Sequence, residues 1–198
     1  MKRPFFLVYA IFRRACNIVV NFLNIFLNNR ISINPTDILN IKGILKIYSE
    51  GEIKIGQNTK INSRFSANPI GGQTFTSFYV GKNAHLVIGN NVGISNSSIV
   101  SFCSITIEDN VLIGGDCKIY DTDFHSINPE IRNSQNDTSF KSVPIIIKKG
   151  AFIGTATIIL KGVIIGENSV IGAGSIVTKN VPPNQVWAGN PAKFIKAL

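Results

Sequence analysis

From Ile147 to Val177 a β-branched apolar residue falls at every sixth position: Ile147, Ile153, Ile159, Ile165, Ile171 and Val177. A helical stripe returns after about 3.6 residues and a half-buried strand after 2, so a period of six requires a coil that restores each position to the same environment. Short stacked strands joined by corners meet that requirement. Each hexad then builds one side of a prism and points its β-branched residue at the axis. Gly154, Gly166 and Gly172 follow three of these residues, where the turn must be tight. The predicted fold class is therefore mainly β, a parallel β-helix of hexapeptide repeats.

The same phase holds upstream over Ile107, Ile113 and Ile119, over Ile88 and Ile94, and over Ile55 and Ile61. Between these blocks the register slips, which predicts insertions. One runs over roughly 64–78, with Pro69, Gly71 and Gly72; the other runs over roughly 122–146, with Pro129 and Pro144. Without them, three hexads per turn leave about five turns and a stack about 25 Å tall. The domain division that follows is a helical segment over 1–40 and a β-helix over 41–198.

The share of apolar residues, 44%, is enough for a continuous core. Cys16, Cys103 and Cys117 are odd in number and form no C-x-x-C pair, which favours free thiols in a reducing compartment. The formal charge of +9 is concentrated at the ends. Residues 1–30 carry five basic and no acidic side chains, residues 31–140 eight and ten, and residues 141–198 seven and one. No recognition helix or aromatic single-strand platform accompanies the basic ends, so nucleic acid is not expected; a small molecule bearing phosphate fits better.

The N-terminal segment contains an uncharged apolar run, Phe5 to Phe12, then Arg13 and Arg14, then Asn17, Asn21, Asn24 and Asn28. Spacings of four, three and four place these Asn on one stripe of an amphipathic helix, with Ile18, Phe22, Ile25 and Phe26 on other faces. The arginine pair interrupts any run of the roughly 20 apolar residues that a bilayer span needs. Two readings stay open. The helix packs on its own domain or a sister subunit, or it lies on an anionic membrane surface with Lys2, Arg3, Arg13 and Arg14 toward headgroups. The corresponding location is cytoplasmic, with contact at the inner face of the membrane in the second reading.

Only two histidines are present. His85 sits in a turn-like stretch and reads as a surface residue. His125 follows Asp121-Thr122-Asp123-Phe124 at the point where the sixfold pattern stops. An imidazole near carboxylates at the rim of a rigid stack suits general-base work. A solvated loop histidine is the other reading at this stage.

The hexads, the Asp-x-Asp-x-His segment, Phe152-Ile153-Gly154-Thr155, Ile171-Gly172-Ala173-Gly174-Ser175, and the stretch from Val181-Pro182-Pro183-Asn184 through Ala188-Gly189-Asn190-Pro191-Ala192-Lys193 together resemble left-handed β-helix acyltransferases. The similarity is greatest to the O-acetyltransferases of the maltose/galactoside and colanic-acid type. It covers about residues 86–196 and implies the left hand of the coil, an exception among parallel crossovers.

The resemblance further implies acetyl-CoA as cosubstrate, a sugar or glycan hydroxyl as acceptor, and a homotrimer with sites between neighbouring prisms. His125 matches the family's catalytic base. Asn96 falls near the family's acceptor-contacting Asn; of Asp121 and Asp123, one orients His125 or binds the acceptor, or both cap the loop, and Asp123 is the acceptor-side candidate. Phe152, Thr155, Ala173, Thr178, Lys179, Lys193 and Lys196 match positions along the coenzyme groove, with Thr155 close to the thioester. Lys193 and Lys196 stand where relatives carry arginine, so a bidentate phosphate contact becomes a point-charge contact.

No metal is expected. A γ-type carbonic anhydrase shares the coil but needs three histidines around zinc. A sugar nucleotidyltransferase needs a nucleotide-binding domain for which residues 1–40 are too short, and serine acetyltransferase needs a large helical domain ahead of the coil. The alternatives kept are a xenobiotic (antibiotic) acetyltransferase and a non-enzymatic, membrane-associated repeat adaptor.

Overall fold

The structure, a computed structural model, describes residues 3–134, 137 and 139–198, with side chains from residue 8 onward. A helix over Arg3–Phe26 leads into a three-sided prism of short parallel strands. The first face contains six strands, from Ile31–Ser32 to Ile164–Ile165. On the second face, eight strands run from Ile41–Gly43 to Lys193–Ala197, and the third holds six, from Lys46–Ser49 to Ile176–Val177. Within the three sheets every described strand pairing is parallel except the last, Gln185–Ala188 with Lys193–Ala197.

The sixfold phase is the register of this coil. Ile147 pairs with Ile165, Ile153 with Ile171 and Ile159 with Val177, each eighteen residues on, so three hexads complete one turn. These six side chains are at most 1% exposed; they line the axis from all three faces, two to a face, and share the core with Ile107, Ile119, Leu86 and Phe78. Glycine after the inward residue answers a close approach between coils: a Cβ on Gly154 would lie 2.6 Å from the Ala173 nitrogen. Left-handed backbone is needed elsewhere. At the first-to-second corner it is adopted by Asn58, Asn91, Asn110, Gly150, Asn168 and Asn184, because asparagine tolerates positive φ better than most residues that carry a side chain. The stacked amides also bond along the corner, Asn91 to Asn110 at 3.2 Å and Asn168 to Asn184 at 3.3 Å.

Six coils are present instead of the five expected. The additional coil is the first, built from Ile31–Ser32, Ile41–Gly43 and Lys46–Ser49, with a 3-10 turn over Pro35–Asn40 capped by Asn34. That turn breaks the sixfold spacing, which hides the coil in the sequence. The chain leaves the prism between Lys60–Ser63 and Ser77–Val80, at the second-to-third corner, and again between Lys118–Tyr120 and Ile145–Ile147, at the third-to-first corner.

The N-terminal helix packs on the first coil through part of its asparagine stripe, Asn21 and Asn28, while Asn24 stays exposed. Asn21, 1% exposed, donates to the Gly43 carbonyl at 2.9 Å and accepts from the Leu45 N–H at 3.0 Å. One amide thus supplies both bonds a further strand would offer, protecting an open sheet edge. Asn28 donates to the Ser49 carbonyl, and Ile25 is buried in the core below the first coil.

Candidate active site

The second insertion begins with a closed neck. Thr122 and Ser142 form an antiparallel bridge, Val143 N–H donates to the Asp121 carbonyl, and Asp123 N–H donates to the Lys141 carbonyl. Asp121 is fully buried. Its carboxylate accepts from Ser101 Oγ and from the Phe102 and Cys103 N–H groups at 2.7–2.9 Å, tying the insertion to the coil beneath. Asp123 is ion-paired with Lys161 on the coil above. Both aspartates flanking His125 in sequence are therefore engaged elsewhere.

His125 meets a different carboxylate. Its Nδ1 lies 2.8 Å from Asp137 Oδ2, and the Ser126 N–H donates to Asp137 at 3.0 Å. Burial alone pushes the Asp137 carboxyl up, but the Ser126 N–H and the imidazole outweigh it and hold the group below the ordinary carboxylate range. An ionised Asp137 only accepts, so Nδ1 carries the proton and Nε2 presents its lone pair. The side chains are 70% and 11% exposed, which leaves an oriented imidazole open to solvent on a mostly covered carboxylate.

Aromatic rings cluster where the insertion that carries this histidine leaves the prism. Phe102 stacks on Tyr79 at 5.4 Å between centroids and receives Phe140 and Phe124 edge-on at 5.3 and 6.3 Å; Tyr120 meets Phe124 at 5.2 Å. Phe124 sits at φ +66°, a conformation costing on the order of 1–2 kcal/mol for a residue with a side chain, and these contacts help to offset the cost. Tyr79 and Phe124 remain 42% and 39% exposed, so the platform has an open apolar surface.

The other sequence-predicted residues fall into separate groups. Asn96 is 1% exposed under the first insertion, its side-chain amide donating to the Asn68 carbonyl at 2.8 Å while its backbone carbonyl accepts from the Thr74 hydroxyl. Its side chain supports that loop here. Thr155 and Ala173 stack on the same second-to-third corner in successive coils; the Thr155 hydroxyl donates to the Gly115 carbonyl and its carbonyl accepts from the Gly174 N–H. Phe152 stands on the adjoining second face, 46% exposed between Leu112 and Val170. At the end of the prism Thr178, Lys179 and Lys193 line a pocket of about 240 Å³ with Trp187, Pro191, Ala192 and Phe194. Lys196 lies outside that lining, on the final antiparallel strand.

His125 thus belongs to the third-to-first corner and Thr155 with Ala173 to the second-to-third corner, on opposite margins of the third face. Asp137, the aromatic platform, Trp187 and Phe194 were not singled out from sequence. Asp137 lies twelve residues beyond His125 in an aperiodic segment, whereas the outward aromatics next to the break at Tyr120 were a usable signal. His85 is a surface residue as expected, 3.7 Å from Glu52 on an exposed edge.

A three-faced parallel coil with an oriented histidine at its main interruption and a pocket at its end defines a hexapeptide-repeat transferase. Residues 144–179 match the family model described as bacterial transferase hexapeptide (six repeats), and residues 104–119 match the hexapeptide repeat of succinyl-transferase. The chain is 43% identical to galactoside O-acetyltransferase of Escherichia coli (strain K12) over 122 residues, 61% of this chain and 57% of that protein. It therefore spans less than two thirds of that relative. Among solved structures it resembles galactoside acetyltransferase in complex with coenzyme A, at 30% identity and a TM-score of 0.60, covering 93% of this chain and 80% of that one. It also resembles the polySia-specific acetyltransferase NeuO, at 30% identity and a TM-score of 0.62, covering 79% and 70%. The chain belongs to the hexapeptide-repeat, left-handed β-helix acetyltransferase family.

Proposed function

We propose that this protein is an acetyl-CoA-dependent O-acetyltransferase acting on a hydroxyl of a sugar in a glycan or glycan precursor, with His125 as general base. The observation that carries the reading is the 2.8 Å contact between His125 Nδ1 and Asp137, which fixes the tautomer whose exposed Nε2 is basic. Nε2 takes the proton of the acceptor hydroxyl as its oxygen attacks the thioester carbonyl carbon. The tetrahedral intermediate expels the coenzyme thiolate, which takes that proton back from the imidazolium, and Asp137 stabilises the imidazolium in between. The Thr155 N–H, which has no acceptor among the described residues, is suited to receive the developing oxyanion.

The coenzyme arm is assigned to the small-residue margin at Thr155 and Ala173 beside Phe152, and its phosphorylated end to the basic end of the prism at Thr178, Lys179, Lys193 and Lys196. The relatives known as galactoside and polySia acetyltransferases support a sugar acceptor. So does the exposed platform of Tyr79 and Phe124, because an aromatic surface suits the apolar face of a sugar ring. Asp123, held by Lys161 two residues before the base, is assigned to the acceptor side.

Base and coenzyme margin lie at different corners of one prism, so a homotrimer is the assembly proposed to bring them together across a subunit boundary. The three free cysteines fit a reducing, cytoplasmic setting. The reading is tested by an acceptor screen with acetyl-CoA, following thiol release and locating the added acetyl group by mass spectrometry. Thiol release coupled to sugar acetylation is expected. Acetyl transfer to no sugar, or equal transfer by His125→Ala, counts against it.

A further inference from the structure

The N-terminal helix is docked in an unusual sense: Asn21 and Ile25 are buried against the prism with Asn17 and Asn28 half-buried beside them, while most of its apolar residues are exposed. Asn17, Asn21, Ile25 and Asn28 face the prism, whereas every residue from Val8 to Cys16 is exposed. At about 100° per residue, Val8, Ile11, Phe12, Val19, Phe22 and Phe26 fall within an arc of about 100° on the opposite side. Their exposures run from 44% to 67%. A helix that faces only water has no reason to carry such a face.

A second observation adjoins the first. Between the helix and the first insertion, Arg14, Lys42 and Arg64 line a pocket of about 200 Å³ with Asn17 and Ser66. None of the three is ion-paired among the described residues, and Arg64 Nε is buried without a partner. Burial, then repulsion from Arg13 and Arg14, lowers the Arg64 pKa, as expected for cations crowded without a counter-charge. The sequence has no acidic residue before Asp37.

We propose that this end of the molecule docks on an anionic phospholipid surface, with the apolar helix face at the acyl boundary and lipid phosphates held by Arg14, Lys42 and Arg64. The combination of apolar face and flanking cations is that of an interfacial helix. No described helix is long and apolar enough to cross a membrane. In an isologous contact a second copy of the chain would bring the same uncompensated cations to the interface, whereas anionic headgroups neutralise them. Lys2 and the side chain of Arg3 lie outside the described residues.

The test is co-sedimentation of the full chain with vesicles of phosphatidylcholine alone or with added phosphatidylglycerol, with and without inorganic phosphate, alongside the solution mass and melting curve. Binding that requires phosphatidylglycerol and weakens with salt is expected. Joint Phe12→Asp and Phe22→Asp should reduce it at least tenfold, and Arg14→Gln or Lys42→Gln about fivefold each, with mass and melting unchanged. Vesicle binding indifferent to lipid charge or to these variants would overturn the proposal. So would phosphate bound at the pocket without vesicle binding, or a change of oligomeric mass in the Phe12/Phe22 variant, which would show that a second copy covers the face.

Discussion

The upper coils, from Ile145 to Val177, and the lower coils, from Ile31 to Tyr120, obey the same geometry with different discipline. Above, each turn takes eighteen residues and the inward column never leaves phase. Below, Ile88 pairs with Ile107 nineteen residues on, Ile99 with Ile119 twenty on, and Phe78 with Ile99 twenty-one on, and the chain leaves the prism at Ser63 and again after Tyr120. Regularity provides a rigid wall along which an extended coenzyme can lie. Irregularity lets side chains such as His125 and Asp137 approach each other in a way a strict repeat does not allow.

Three substitutions probe that division. Replacing His125 by Ala should lower acetyl transfer by about 10²- to 10⁴-fold while leaving coenzyme affinity within about twofold, measured by thiol release and by calorimetry. Ile153→Ala in the regular run should cost about 2–5 kcal/mol of stability on denaturant unfolding, because a fully buried column residue leaves a cavity. Asp137→Asn should slow transfer about 10- to 10²-fold without a comparable loss of stability, since it removes the group that fixes the tautomer.

A pH series sharpens the comparison further. The Asp137 pKa is depressed in the folded protein, so its contribution to holding the insertion is fully present above the ordinary carboxylate value of about 3.9. It is lost only as pH falls through the lower folded value. Limited proteolysis between 122 and 146 should thus change little from pH 7 to pH 5 through this group and rise below about pH 4. The smallest effect concerns a thiol of the core. Burial pushes Cys117 up to about 11, so at pH 8 it should resist alkylation in the native protein while the exposed Cys16 reacts.

The sixfold column made the prism legible because every Ile or Val in it performs the same task in each coil. His125 draws notice as a candidate for the opposite reason, standing where that repetition stops, and the resemblance to the family is what favours it there as the base over a solvated loop histidine. Asp137 was not legible, since an aperiodic loop gives no rule for which residue folds back on which. The first coil was hidden by the 3-10 turn at Pro35–Asn40. The helix was read correctly as amphipathic, yet its asparagine stripe looks in sequence like a solvent face. Only the pairing of Asn21 with Gly43 and Leu45 reveals that an amide can substitute for a strand.

The central claim is that the chemical part of the site sits on the irregular corner of one prism and the coenzyme part on the regular corner of its neighbour. Subunit complementation tests it most directly. Chains carrying His125→Ala are mixed with chains carrying Ala173→Trp, which fills an exposed position on the proposed coenzyme margin. Each variant alone should be nearly inactive, and unfolding and reassembling them together should restore about a quarter of wild-type turnover, the share of intact sites that random mixing gives in a cyclic trimer. A mixture no more active than its two components would contradict a site shared between prisms.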